Sequence, residues 1–283
     1  MVHAERGSLA LRGRPIRWGE RTYVMAIVNV TPDSFSGDGV DEPVAAAKYA
    51  ARQWADGADL LDVGGESTRP GHRPVEERIE TARIVPVIAT LRQRFADAPI
   101  SVDTYKPAVA RAARAAGADM INSVWGASDA LLDAAAELEM PVVAMHNQRG
   151  TTYDGDVVDS VLRYLEECGR RALARGIARE RIILDPGIGF GKTADQNVVV
   201  LRALGRLVAL GFPTMLGASR KSTIGKLTGR EAGERVYGTV ATTALAVGAG
   251  IDIVRVHDVA AARDAIAVAD AVVRDWRPAG WTG

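Results

Sequence analysis

The sequence predicts an α/β fold, a (β/α)8 TIM barrel with a short N-terminal β-hairpin, and three observations carry that prediction. Short apolar runs alternate with helical patterns eight times along the chain, and strands that alternate with helices make parallel sheet. Several helical patterns stop at glycine just before the next strand, in the phrases ADGAD, AAGAD and GAGID; glycine suits the left-handed residue after a helix. The length, 283 residues, is near the roughly 250 that such a barrel takes. No Gly-x-Gly-x-x-Gly follows the first barrel strand, which argues against a dinucleotide-binding open sheet. We therefore expect one domain over residues 1–283, with 1–22 as the hairpin extension.

The elements follow in order. Residues 8–20 alternate around Arg12-Gly13-Arg14-Pro15, the pattern of a short hairpin. Strands are expected at 24–28, 59–63, 100–102, 119–122, 141–145, 181–184, 213–216 and 251–256. Each is brief and apolar, as buried parallel strands are. The helices expected between and after them span 42–57, 75–95, 106–117, 129–138, 157–176, 195–210, 233–248 and 259–274. There is no low-complexity segment and no evident linker.

Composition excludes several classes. Lys plus Arg and Asp plus Glu both number 35, so no basic surplus points to nucleic acid or to an anionic membrane. A local anion site remains compatible with that balance. The single cysteine, Cys168, rules out a disulfide framework or a cysteine-rich metal site and fits a reducing compartment. The N-terminus lacks a signal-peptide apolar region. No apolar run approaches the roughly 18 residues that span a bilayer. We expect a soluble, cytoplasmic protein.

The function is read where the strands end. The run RIIL leads into Asp185, which opens the stretch DPGIGFGKT over residues 185–193. A carboxylate thus stands at a strand mouth, before a loop whose small residues let a flat ligand approach the backbone. In barrels of this kind chemistry sits at the carboxyl ends of the strands. Those ends carry Asn29, Asp62, Asp103, Asn122, His146, Asp185, a Ser219-Arg220-Lys221 run, and Arg255 with His257. An isolated Asp or Asn is more often a cap or loop anchor. Eight polar ends on one face exceed that reading, because buried polar groups are costly without partners.

The groups sort by chemistry. Asp103, Asn122 and Asp185 suit a guanidine-like heterocycle edge, since a carboxylate takes two parallel N–H bonds. Arg255, His257 and Asn29 suit an oxyanion leaving group together with Mg²⁺, for which an amide oxygen is a hard ligand. The last two loops are the usual phosphate position in this fold, and the helix from Val259 adds its N-terminus there, with Asp258 placed to cap it. Lys221 lies between the two sets; a solvated surface lysine is its plainer reading. The first two loops, 29–39 and 64–71, are long, polar and glycine-rich. Phe35 and Arg69 favour lids over merely long loops, because they can cover a ligand.

Together, MAIVNVTPDSFSGDG, LLDVGGESTRPG, ISVDTYKP, MINSV, DPGIGFGKT, LGASRKS and VRVHDV resemble dihydropteroate synthase, of the pterin-binding barrel family. They cover most of the chain in the family's order. NVTPDSFS with SRKS and RVHDV is specific, whereas DPGIGFGKT alone marks the wider pterin-binding family. One segment departs: the fifth strand ends Met145-His146-Asn147-Gln148, where many members have a second methionine after the histidine.

The resemblance implies a transferase that joins a pterin carrying a hydroxymethyl diphosphate to 4-aminobenzoate, on the route to folate. It implies Mg²⁺ as cofactor, small-molecule substrates and a homodimer; the Ala/Val-rich seventh and eighth helices, over 239–247 and 260–273, are the place to look for its contact, with simple barrel packing the plainer source of their apolar pattern. It places Asp103, Asn122, Met145, Asp185 and Lys221 around the pterin. Asn29, Arg255 and His257 fall at the diphosphate, with Asn29 also on the metal. Thr68, Arg69, Pro70, Phe190, Lys221 and Ser222 surround aminobenzoate, and Asp33 and Phe35 belong to the mobile first loop. Asp103, Lys221, Arg255 and His257 are the implied catalytic groups. Three alternatives remain: a methyl transferase moving a methyl group from a folate to a corrinoid, which needs no diphosphate site; a paralogue that binds a pterin without condensing it; and a generic sugar-phosphate barrel enzyme, which wants an acid–base pair.

Overall fold

A computed structural model describes residues 6–30, 42–67, 74–278 and 280–282. Strands β1 (Ser8–Leu11) and β2 (Arg14–Arg17) form an antiparallel hairpin with Leu9 opposite Ile16. Eight parallel strands follow: β3 (Tyr23–Asn29), β4 (Leu60–Gly64), β5 (Ile100–Asp103), β6 (Met120–Ser123), β7 (Val142–Met145), β8 (Ile182–Asp185), β9 (Met215–Leu216) and β10 (Ile253–Val256). Their order is β8-β7-β6-β5-β4-β3-β10-β9. The ring closes where Leu184 pairs with Thr214, with the Leu184 N–H donating to the Pro213 carbonyl at 2.9 Å.

Around the strands lie α1 (Glu42–Ala55), α2 (Glu77–Arg94), α3 (Pro107–Ala116), α4 (Asp129–Glu137), α5 (Val157–Leu173), α6 (Ala194–Arg202), α7 (Leu204–Val208), α8 (Ser222–Thr228), α9 (Val236–Ala249) and α10 (Val259–Val273). Beyond shifts of their ends, the helices differ from the sequence expectation at two places. The helix expected at 195–210 is two, because Ala203 leaves helical geometry and its N–H turns back three residues to the Val200 carbonyl. The short α8 was not expected; its STIGKLT carries a glycine and three β-branched residues, which weaken the helical pattern. Among the described residues no helix is long and apolar enough to cross a membrane.

Side chains alternate across the strands, and two cores result. Val24, Ala26, Val28, Leu61, Val63 and Val102 face the helices. Tyr23, Met25, Leu60, Met120, Val143, Ile183 and Ile253 fill the barrel's amino end together with Leu9, Leu11, Ile16 and Trp18 of the hairpin segment. The hairpin is therefore a stopper for the end opposite the strand mouths. Trp18 Nε1 donates to the Glu180 carbonyl at 2.9 Å and fixes it there.

The repeated helix-end phrase does more at this end than stop a helix. Its aspartates each accept a backbone N–H from a neighbouring strand's first turn: Asp59 from Val24 at 2.8 Å, Asp119 from Ile100 at 3.0 Å, Asp252 from Thr214 at 2.9 Å. Each is also paired with arginine, Asp59 with Arg21 and Arg263, Asp119 with Arg12 and Arg92, Asp252 with Arg6. Because these side chains cap the start of the sheet, strands expected from 59 and 119 begin one residue later.

Candidate active site at the strand mouths

Asp185 closes β8 and is 2 % exposed. Its Oδ1 accepts the Gly187 N–H at 2.7 Å. Gly187 has φ 67°, and a Cβ there would collide with the His146 carbonyl oxygen; no other residue type fits without displacing that strand end. The loop then wraps around a buried ammonium. Lys192 Nζ donates to the Gly187 carbonyl at 3.0 Å and the Phe190 carbonyl at 3.1 Å, and lies 2.9 Å from His146 Nδ1. Burial pushes Lys192 down to about 7. Burial, with Lys192 adding, pushes His146 down to about 3, so the ring is neutral and Nδ1 is an acceptor. His146 also packs edge-on to Tyr164 at 5.0 Å. It therefore holds this loop. Met145, next to it, is buried at the end of β7.

The centre of the mouth is Arg255 of β10. Its Nε donates to Asp62 at 2.6 Å and its Nη2 to Asp103 at 2.8 Å. Asp62 Oδ2 also accepts from Asn122 Nδ2 at 2.8 Å. Four groups from four strands, far apart in sequence, thus form one connected set. Within it Asp62 Oδ1, Asp103 Oδ1 and Asn122 Oδ1 are buried with no hydrogen-bond partner among the described residues. Buried acceptors are rarely left so, and those of Asp103 and Asn122, on adjacent strands, match a ligand edge that brings N–H groups. Burial pushes Asp103 up to about 7, with Asp62 and Glu80 adding and Arg255 and Lys221 opposing. Burial pushes Asp185 up to about 6, opposed by the Gly187 N–H and by Lys221.

Beside this set lies a cationic flank. His257 follows β10, and burial, with Arg255 and Arg220 adding, pushes it down to about 3. Ser219 Oγ accepts the His257 backbone N–H at 3.1 Å and stands 3.0 Å from Nδ1. With its own proton offered to Nδ1, the ring proton sits on Nε2, a neutral donor for an anion. Lys221 is half-buried with Nζ 3.9 Å from the centre of the Phe190 ring, a cation–π placement, which sets aside the solvated-lysine reading. Ser222 opens α8 and is exposed. Asp258 makes no capping bond to α10; it pairs with Arg220 at 2.5 and 2.9 Å instead. Asn29 ends β3, half-buried, in register with Gly64. Thr68, Arg69, Pro70, Asp33 and Phe35 lie outside the described residues.

Sequence reasoning named Asp62 only as a strand end and gave Lys192 no part. It also missed Lys106, whose Nζ meets Glu66, Glu80 and the Val75 carbonyl, each at 2.5 Å, joining the two flanks of the second loop. The acids were visible in the sequence; nothing in it says which base each one meets.

Among the described residues no group of three His, Cys, Asp or Glu is placed to hold a metal. The donor set fits a magnesium in another way. A hard cation that keeps its waters and is held through substrate phosphates needs one or two protein oxygens, and the amide of Asn29, half-buried at the end of β3, is a group of that type.

The family described as pterin binding enzyme matches residues 25–257. A dihydropteroate synthase of Clostridium beijerinckii is 45 % identical over 260 residues, covering 90 % of this chain and 96 % of that one. A Xanthomonas albilineans dihydropteroate synthase solved with 7,8-dihydropteroate is 46 % identical with TM-score 0.87, covering 94 % of this chain and 98 % of that one. A Mycobacterium tuberculosis protein named inactive dihydropteroate synthase 2 is 43 % identical, covering 89 % and 83 %. From motifs, fold and relatives alike, the chain belongs to the pterin-binding enzymes, in the dihydropteroate synthase family.

Proposed function

We propose that this transferase condenses 6-hydroxymethyl-7,8-dihydropterin diphosphate with 4-aminobenzoate, giving 7,8-dihydropteroate and diphosphate. The observation that carries the reading is the pair of buried acceptors, Asp103 Oδ1 and Asn122 Oδ1, that have no hydrogen-bond partner among the described residues and stand beside the forked Arg255. In this reading Asp103, Asn122 and Asp185 accept N–H groups of the pterin ring, with Met145 as a wall. Lys221 bridges the ring and the Phe190 face on which aminobenzoate lies, near Ser222 and with Thr68, Arg69 and Pro70. Asp33 and Phe35 belong to the loop that covers both. Arg255, His257 and Asn29 meet the diphosphate.

No side chain has to act as a nucleophile. The amine nitrogen forms a bond to the pterin methylene while the C–O bond to diphosphate breaks, and one amine proton is released. Arg255 and the Nε2 proton of His257 stabilise charge on the leaving oxygen. Asp103 offsets positive charge on the methylene. Arg255 is already paired with Asp62 and Asp103, so a highly charged diphosphate calls for further positive charge here. Asn29, together with the diphosphate, would hold a Mg²⁺ ion, which would supply that charge as a Lewis acid.

The test is a coupled assay following dihydropteroate and diphosphate together, with and without a chelator. Both products are expected in equal amount and lost on chelation. Arg255→Ala is expected to lower turnover by about 10²–10³. A second reading, a pterin binder that does not condense it, is favoured by the relatives named inactive. Pterin binding with no dihydropteroate formed would select it.

A homodimer is supported by exposed apolar residues on two adjacent helices, Tyr237 (85 %) and Leu245 (73 %) on α9, Val268 (68 %) and Val272 (81 %) on α10. Light scattering in solution decides the mass. A cytoplasmic setting fits Cys168, which is buried and forms no disulfide.

A further inference from the structure

Asp62 is 0 % exposed, and its Oδ2 accepts two bonds from different strands, Arg255 Nε at 2.6 Å and Asn122 Nδ2 at 2.8 Å. One donor belongs to the group that faces the diphosphate, the other to the group that reads the ring. The Asn122 bond settles which way its amide points. With Nδ2 on Asp62, the atom left over is Oδ1, and it is buried without a partner among the described residues. An amide lacking such a neighbour offers either end, donor or acceptor. The Arg255 bond, with the second one to Asp103 at 2.8 Å, fixes the plane of a guanidinium whose bonding is directional.

We propose that Asp62 is a positioning residue that presents Asn122 to the pterin as an acceptor and holds Arg255 in the plane from which it meets the diphosphate, so that one carboxylate couples the two half-sites. The proposal rests on the pterin diphosphate reading of the site. Asp62 touches neither the ring nor the diphosphate; it acts through the two residues it holds. Its failure and that of the site reading are separable, because the halves can be titrated one at a time.

The experiment titrates the full chain and Asp62→Asn by calorimetry, with 6-hydroxymethylpterin and, separately, with inorganic diphosphate plus Mg²⁺. Asparagine keeps the shape and removes the charge. Both affinities are expected to fall about tenfold, the scale of a lost hydrogen bond to a charged group. Asp62→Asn combined with Asn122→Ala is expected to lose no more pterin affinity than Asn122→Ala alone, because the first change acts through the second residue. A merely structural Asp62 would lower the unfolding midpoint and leave both affinities of the folded protein unchanged, which overturns the proposal, as do additive losses. Should Asp62→Asn not fold, Asn122→Ser is titrated with inorganic diphosphate alone. A fall of about threefold at a residue on the ring side supports the coupling, and no change overturns it. A wild-type chain that binds diphosphate and no pterin would sink the site reading and this proposal together. Wild-type pterin binding with unaffected variants sinks the coupling alone.

Discussion

At the stoppered end of the barrel Asp59, Asp119 and Asp252 each hold a backbone N–H and at least one arginine. At the mouth, among the described residues, Asp62 and Asp103 share Arg255, and each keeps one buried oxygen with no partner. Burial is alike at the two ends; it raises Asp252 as well as Asp103, with arginine opposing in both. What differs is whether the remaining lone pairs are filled. Filled sets hold the sheet together, whereas unfilled ones are a cost of folding, which at Asp103 a ligand with N–H groups relieves.

The sharpest way to break this comparison is Asp252→Ala. It strands Arg6, which is buried and bonded to Asp252 at 2.7 Å, and breaking such a pair from one side costs about 3–5 kcal/mol. Urea unfolding should show that loss, while pterin affinity of the folded fraction stays the same. A variant that lost affinity and kept its stability would reverse the roles of the two ends.

The counterpart is Asp185→Asn, expected to do the opposite. Losing a charged acceptor should weaken pterin binding about 10- to 100-fold. The free protein should gain up to about 3 kcal/mol at pH 7, because the fold holds this acid near 6 against an unfolded value near 4. The sign sets a pH signature. A raised acid contributes stability fully present below about pH 4 and lost as pH rises through about 6. The difference in unfolding free energy between wild type and Asp185→Asn should therefore be flat in acid, widen between those values and level off above. A constant difference would place the effect elsewhere. The smallest effect is expected from Asp97→Ala. Its partner Arg14 lies on the hairpin, yet both are exposed, so no change in the unfolding midpoint is expected. A marked loss there would mean that pairing alone, without burial, stabilises this end.

The barrel was legible because its signals are local. Eight short apolar runs, glycines closing helices and the length each constrain the fold independently. The strand-mouth groups were legible for the same reason, since a residue type at a strand end is a property of sequence. Their partnerships were not. Arg255 and Asp62 are 193 positions apart, and nothing in either segment indicates that Arg255 leans on Asp62 and Asp103 together. Lys192 reads as one lysine in a glycine-rich loop until the loop is seen folded around it. The repeated helix-end phrase was half legible: glycine showed a helix end, while its aspartate's bond to the start of the preceding strand needed the strands paired. The short α8 and the break at Ala203 escaped because neither carries a strong periodic pattern.

The hairpin that seats Leu9, Ile16 and Trp18 beneath the strands leaves the barrel a vessel with one opening. Traffic through it must queue. The reactant seated deepest enters before the one that covers it, and the joined product backs out by the way both came in. Under the reading above, that imposes a sequence on the kinetics: pterin first, aminobenzoate second. An inhibitor lodged over the outer position would then trap the inner ligand as well as exclude a competitor.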